Sequence, residues 1–510
     1  MGNPASKATQ PANEGWRAYV IIGVAALVLM LPALFTGQMI HDSFWIDIVW
    51  ADQFTSVLKS GTLYPRWLPW SYDGLGAPIF YFYPPLAFYL TALFGLLGIS
   101  TYGSLIAAFG TALAASGLSM FNWLRGWTKR PLLAALFYMA APYHLMDFYR
   151  RGALAEFAAF AFIPLVALGM RRAIGTRSPA WLALAYAGLI LTHLPAALLA
   201  SVLLIAPWGI VATMRDRQAA APLAIGIGLG LGLAAIYLVP MQMLRGEIST
   251  HYMLSIAQYQ AANWSLIAPD RWPSIAGAML LAGLCGIMVF AALGLIASRR
   301  RDPWAWGAVA VCAVAAGLLP GFWSLPLVAN TQFPWRALML AEFLLATGFA
   351  LTSMRPLFAA LAVTPMIALS AVLLKPVHEL DPTRPTDWFE RHLDVREYVP
   401  RGAPDEASWY AKWAMALSAR HKMPMQDGPF TIAPRFYFPA WEVICHGRKV
   451  ATTPDPETRL LRWRGGSAGC SAEIGITPFE FAGVGLSLLS LILLIGIARR
   501  KQGEIVRPPT

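Results

Sequence analysis

Directly after the first apolar run, which ends near residue 37, the chain reads His41-Asp42-Ser43-Phe44-Trp45-Ile46-Asp47. A carboxylate at the mouth of a helical bundle is placed to act as general base on an incoming hydroxyl, and Asp42 is the first candidate, with His41 and Asp47 beside it. The same carboxylates can equally do no more than solvate a helix end. Arg150, Arg151 and Arg336 carry planar guanidinium forks that grip phosphate, although arginines near helix ends also snorkel to lipid headgroups. Glu156 and Glu342 lie inside apolar runs, where a carboxylate is costly unless paired. Pairing of Glu156 with Arg150 or Arg151, and of Glu342 with Arg336, is therefore expected, either to aim the arginines or as structure alone. His193, at a Pro break in a long apolar run, faces the same side and can touch substrate or serve as a structural hydrogen-bonding residue. Tyr83, in the run Phe80-Tyr81-Phe82-Tyr83-Pro84-Pro85, can stack on a sugar or line a groove.

These residues sit in a chain of 510 residues that is 57% hydrophobic and only 13% charged, with a mean hydropathy of +0.53. Soluble domains carry roughly 25% charged residues, so water is not the main solvent. A membrane span needs about 20 apolar residues. Candidate spans are 17 to 37, 79 to 98, 103 to 122, 131 to 146, 153 to 170, 180 to 193, 195 to 213, 219 to 240, 275 to 297, 304 to 325, 335 to 353, 356 to 374 and 478 to 498. The fold class is an all-α polytopic membrane protein of about 12 to 13 transmembrane helices, with a small β-rich extracytoplasmic domain near the C-terminus. The formal charge of +12 resides in short clusters at the ends of apolar runs, which reads as topology signal and lipid contact rather than nucleic-acid binding.

Cytoplasmic loops carry the Lys/Arg excess. Taking Arg499-Arg500-Lys501 as cytoplasmic puts Arg355, Arg299 to Arg301, Arg215 to Arg217 and Arg171-Arg172 inside as well, and residues 375 to 477, His193 and the Asp147 to Arg151 turn outside. One of the first four spans is then surplus, and the segment starting near Ile79 is the one expected not to cross simply. The first run follows Lys7 and Arg17 and lacks a small-residue cleavage site, as a retained signal anchor does.

Three regions follow: a transmembrane domain over 1–374 with an outer loop at 38–78, an extracytoplasmic region over 375–477 that is β-rich from about 430, and a last helix with a basic cytoplasmic tail over 478–510. The Trp-rich loop 38–78 is expected to lie along the interface as short amphipathic helices. Cys445 and Cys470 fall in the extracytoplasmic region, where a disulfide between them is one of two open outcomes. Cys285 and Cys312 read as buried small hydrophobes, and no Cys/His spacing suggests a zinc site.

Several motifs, His41-Asp42, Tyr64-Pro65-Arg66-Trp67, Gly74-Leu75-Gly76-Ala77-Pro78, Pro142-Tyr143-His144-Leu145-Met146-Asp147, Gln332-Phe333-Pro334-Trp335-Arg336 and Tyr437-Phe438-Pro439-Ala440-Trp441, together resemble a bacterial membrane-protein family labelled as related to 6-pyruvoyl-tetrahydropterin synthase. That family looks like a branch of the GT-C glycosyltransferases. The resemblance implies a GT-C-like fold in the bacterial plasma membrane, Asp42 as catalytic base, and a sugar donor on polyprenyl phosphate whose phosphate Arg150, Arg151 and Arg336 would hold. The acceptor would be a glycan, lipid or protein of the envelope, with membrane lipids as further partners. No nucleotide cofactor and no pterin chemistry are expected. A divalent cation is left open, and a metal role at Asp47 is in doubt because the family often has His there. A transporter or flippase of lipid-linked saccharides, or a non-catalytic assembly protein, are the rival readings.

Overall fold

A computed structural model describes residues 13–35, 43–250, 256–319, 321–352, 356–374, 394–402, 416–420 and 422–506. His41 and Asp42 lie outside the described residues. In hydrocarbon every backbone N–H and C=O must be satisfied within the protein, which restricts uncharged apolar segments to helices. Among the described residues, seven helices are long and apolar enough to cross a membrane: Gly15–Phe35, Thr101–Leu124, Leu154–Thr176, Leu194–Arg215, Ile275–Ser298, Pro334–Leu351 and Pro478–Arg499. The pair Arg217–Leu233 and Ala235–Glu247 qualifies jointly but is bent by 66°. Four shorter apolar helices, Leu86–Leu96, Ala180–Thr192, Pro303–Ala315 and Thr364–Leu373, are found among the described residues. The protein is thus a multi-pass, helical membrane protein.

Some expected spans are broken, and the breaks have causes. Residues 131 to 146 form not one helix but Pro131–Met139 and Pro142–Met146. Pro142 has no N–H to continue the first helix and is suited to the first position of a new one. The segment from Ile79 holds a single turn, Ile79–Phe82, and then the 11-residue helix Leu86–Leu96, which is too short to cross alone. Residues 304 to 325 yield only Pro303–Ala315 as α-helix. The loop 38–78 holds the helix Phe44–Lys59, which packs into the protein: Phe44, Trp45, Val49, Trp50 and Phe54 are all buried.

One end of the bundle holds Arg171 and Arg177. The Arg171 guanidinium lies 4.7 Å from the Trp123 ring centre, Trp123 is 6.0 Å from Trp304, and Trp123 donates to Thr347. Thr128 donates to the Ala350 carbonyl and Arg177 pairs with Asp216 at the same end. The opposite end holds the candidate site and the β domain.

The β domain comprises β1 (Met425–Asp427), β2 (Phe430–Phe436), β3 (Trp441–Cys445), β4 (Arg448–Val450), β5 (Thr452–Pro454), β6 (Leu460–Arg464) and β7 (Cys470–Ile474). Two antiparallel sheets have the orders β1-β2-β6-β5 and β4-β3-β7. The β3–β4 hairpin turns on His446 and Gly447, both with positive φ, the backbone twist that two-residue hairpins favour. Cys445 and Cys470 face each other on β3 and β7 and are joined by a disulfide. The domain is seated on the helical part by Trp67 against Trp441 at 5.2 Å, Tyr81 against Phe438 at 4.7 Å, and the Phe436 N–H on the Leu75 carbonyl. Beneath it, Arg66 pairs with Glu480 at 2.9 Å and donates to the Ile236 carbonyl, tying the last helix to the loop after Phe44–Lys59.

Candidate functional site

Beyond Met146 the chain makes a π-helical turn, Asp147–Arg151, closed by Gly152 at φ +60. Single π-turns recur at functional sites because the extra residue re-aims side chains. Here the turn brings Asp147 and Arg151 together at 2.5 Å and points Arg151 at Glu156, 2.7 Å away. A Cβ on Gly152 would lie 2.6 Å from the Phe44 Cβ, so the helix Phe44–Lys59 can approach only because this position is glycine. The Ser43 N–H donates to the Arg151 carbonyl at 2.9 Å, fixing the start of that helix against the turn.

Arg336 enters from the 3-10 turn Pro334–Ala337. Its Nε donates to Glu156 Oε2 at 2.9 Å, and its Nη1 donates to the Thr331 carbonyl at 2.7 Å and to Gln332 at 3.0 Å. Glu156 is thus gripped by two arginines and accepts from the Tyr143 hydroxyl as well. Glu156 is 1% exposed and Asp147 fully buried. Two buried cations are balanced by two buried carboxylates, as low-dielectric surroundings demand. Phe333 lies beneath both guanidiniums, at 5.6 Å from Arg151 and 5.0 Å from Arg336, and stacks on Trp335 at 4.7 Å.

Asp47 and Glu342 have a different local task. Asp47 Oδ2 accepts the N–H of Leu154 at 3.0 Å, the first residue of the helix Leu154–Ala159. Glu342 accepts the N–H groups of Tyr143 at 2.6 Å and His144 at 3.1 Å, at the start of Pro142–Met146. Each carboxylate satisfies orphan donors of a helix N-terminus that its own sequence leaves uncapped. The expected Glu342–Arg336 pair is therefore replaced: Arg336 pairs with Glu156, and Glu342 caps a broken helix. Arg150 is exposed and forms no ion pair among the described residues, so it does not join Arg151 and Arg336.

Tyr83 lies within electrostatic reach of the cluster. The charges of Asp47, Arg336, Glu156 and Arg151 all reach its hydroxyl, and its ring meets Trp50 edge-on at 4.8 Å. His193, between the helices Ala180–Thr192 and Leu194–Ala200, is 4% exposed, feels the charges of Arg336, Glu156 and Arg151, and leaves Nδ1 without a partner among the described residues. Asp147 Oδ2 is likewise unpartnered. Most of the sequence-derived candidates that are described thus converge: Asp47, Tyr83, Arg151, Glu156, His193 and Arg336. Asp147, Tyr143, Gln332 and Phe333 join them; they stood in the quoted motifs but were assigned no site role. The i, i+4 spacing of Asp147 and Arg151 was the available signal.

A second wall comes from the segment 394–402. Asp394 accepts from Trp50 Nε1 and Ser71 Oγ at 2.9 Å each, which holds Tyr398 at 5.9 Å from Trp50 and 6.5 Å from Phe82. Burial pushes the adjacent Glu397 carboxyl up to about 7, and the negative charge of Asp394 adds to the rise. No group of three or more His, Cys, Asp or Glu among the described residues is arranged to hold a metal ion.

No protein-family model matches the chain, and no curated protein is significantly similar. The resemblance to the family labelled after pterin synthase thus rests on the quoted motifs alone. Among solved structures, two of the arabinofuranosyltransferase AftD from Mycobacteria are similar, one of the protein itself at 17% identity and one of a point mutant at 16%, each with a TM-score of 0.49. Each alignment covers 73% of this chain, which spans only 28% and 29% of those longer chains.

Proposed function

We propose that the protein is a membrane glycosyltransferase that moves a sugar from a polyprenyl-phosphate donor to an envelope acceptor on the outer face of the plasma membrane. The observation that carries this reading is the buried set Arg151, Arg336 and Glu156 beside Tyr83, Asp47 and His193 at one end of the bundle. Arg336 Nη2 has no protein partner among the described residues, whereas its Nε and Nη1 are held by Glu156, Thr331 and Gln332. A guanidinium anchored on one edge and open on another suits a phosphate oxygen at the membrane surface.

The reaction is a single displacement with inversion. Asp42 takes the proton of an acceptor hydroxyl, the oxygen attacks the anomeric carbon, and the bond to the polyprenyl phosphate breaks with its electron pair on the phosphate. Arg336, with Arg151 behind it, stabilises the anion that leaves. Because Glu156 and Asp147 already balance both arginines, their contribution is directed N–H donation rather than net positive charge. Tyr83, Trp50 and Phe333 offer aromatic faces to a sugar ring, and the segment bearing Glu397 and Tyr398 closes the acceptor side. Orientation follows the basic clusters, with the C-terminus cytoplasmic.

The bent pair at Ala234 favours a second reading, since broken helices mark many transporters, and Tyr237 just beyond the bend donates to the Phe82 carbonyl at 2.8 Å. The charged set, however, lies on other helices and on the turns Asp147–Arg151 and Pro334–Ala337, not on the bent pair. Sugar release from labelled polyprenyl-phosphate donors, measured in membranes carrying wild type or Asp42→Asn, separates the readings. A transferase forms labelled product that the variant does not; a flippase changes donor sidedness in both and forms none.

A further inference from the structure

At the bundle end opposite the candidate site, a cavity of about 450 Å³ opens between the first helix, the end of Thr101–Leu124 and the start of Pro131–Met139. Its wall carries four cations, Arg17, Arg125, Lys129 and Arg130, above an apolar floor that includes Ile21, Phe121 and Leu136. All four cations are exposed, and none forms an ion pair among the described residues. Arg125 lies over the backbone at Gly15, where a Cβ would sit 3.5 Å from its Nη2, and its Nη1 donates to the Tyr19 hydroxyl at 3.4 Å. Trp16 and Trp127 flank the opening, 57% and 41% exposed, as indoles at headgroup level do.

Four like charges in one concavity repel each other and raise the local positive potential until an anion enters. The floor excludes a purely hydrophilic anion as the complete ligand, because it leaves apolar surface uncovered just below the charges. The Arg299 to Arg301 cluster is at the same end, but it follows the helix Ile275–Ser298 and is not part of this cavity. Membrane orientation by basic residues requires no cavity, so the cavity is the distinguishing feature.

We infer that this cavity is a site for one anionic diacyl phospholipid, with its phosphate among Arg17, Arg125, Lys129 and Arg130 and an acyl chain along Ile21, Phe121 and Leu136. The site is independent of sugar transfer. The ligand locks the first helix to the Thr101–Leu124 helix, whose far end abuts the candidate site through the contact of Tyr102 with Phe44 at 5.7 Å.

The full chain in mild detergent is to be titrated with phosphatidylglycerol, phosphatidylcholine or inorganic phosphate, with native mass spectrometry reading retained ligand and thermal unfolding reading stabilisation. Wild type and an Arg299→Gln/Arg300→Gln/Arg301→Gln control should retain phosphatidylglycerol alike and unfold at higher temperature with it. Arg17→Gln/Arg125→Gln and Lys129→Gln/Arg130→Gln should each lose affinity by about tenfold or more, the equivalent of 1.4 kcal/mol, while unfolding normally in phosphatidylcholine. Two separate double variants keep the test valid if one fails to fold. Equal losses in the control and the cavity variants would reduce the effect to general surface charge and overturn the site. Unchanged retention in both cavity variants, or full stabilisation by inorganic phosphate alone, would overturn it too.

Discussion

Glu156 Oε2 sits 2.9 Å from Arg336 Nε across 180 residues of sequence and 2.7 Å from Arg151 Nη1 across five. One carboxylate oxygen thereby joins two otherwise separate segments, the π-turn after Met146 and the turn that opens the Pro334–Leu351 span.

Replacing Glu156 by Gln keeps the shape and removes the charge. Arg151 then keeps Asp147 as its contacting anion, while Arg336 keeps none among the described residues, and breaking a buried pair this way costs about 3–5 kcal/mol. Glu156→Gln is expected to lower the unfolding midpoint in detergent strongly, with Glu342→Gln, which removes only a helix cap, costing about 1 kcal/mol. Equal stability of Glu156→Gln and wild type would contradict the shared-carboxylate arrangement.

Gly152→Ala tests the close approach of Phe44 to the turn. The added methyl meets Phe44 at 2.6 Å and the φ of +60 is strained for alanine, so a loss of about 1–3 kcal/mol is expected. Because the Phe44–Lys59 helix carries Asp47, activity should fall along with stability. A shift of Asp47 would be seen as altered protease sensitivity between residues 43 and 60.

Glu397 predicts a pH dependence with a definite sign. Its folded-state pKa, raised by burial to about 7, lies above the ordinary carboxylate value of about 4.3. Its contribution is therefore fully present below that ordinary value and is lost as pH rises through about 7. Unfolding midpoints measured from pH 5 to 8.5 should decline with pH more steeply for wild type than for Glu397→Gln. Parallel curves would mean that Glu397 titrates as a solvated side chain.

Much of this was legible in the sequence, for identifiable reasons. Apolar runs and basic clusters declare spans and their ends directly, since lipid admits few alternatives. The β-rich character of the chain from about residue 430 was visible from its apolar–polar alternation, and Glu156 could be matched to Arg151 because they are neighbours along the chain. What could not be read were long-range choices: that Arg336 would turn to Glu156 rather than to Glu342, and that Asp47 and Glu342 would cap helices elsewhere in the bundle. Pro142 did signal the break within 131 to 146, but overall hydropathy concealed it. The burial of Phe44–Lys59 was hidden for a related reason, because abundant Trp suits an interface and a packed interior equally.

The most direct test is transfer of radiolabelled sugar from a panel of polyprenyl-phosphate donors to envelope acceptors by membranes carrying wild type, Asp42→Asn or Arg336→Lys at matched folded amounts. Product should form with wild type, vanish with Asp42→Asn, and fall about 10²–10³-fold with Arg336→Lys, the usual effect of losing one oriented donor to a developing anion. Full transfer by both variants, or none by wild type across the panel, would contradict the assignment of a glycosyltransferase built on these residues.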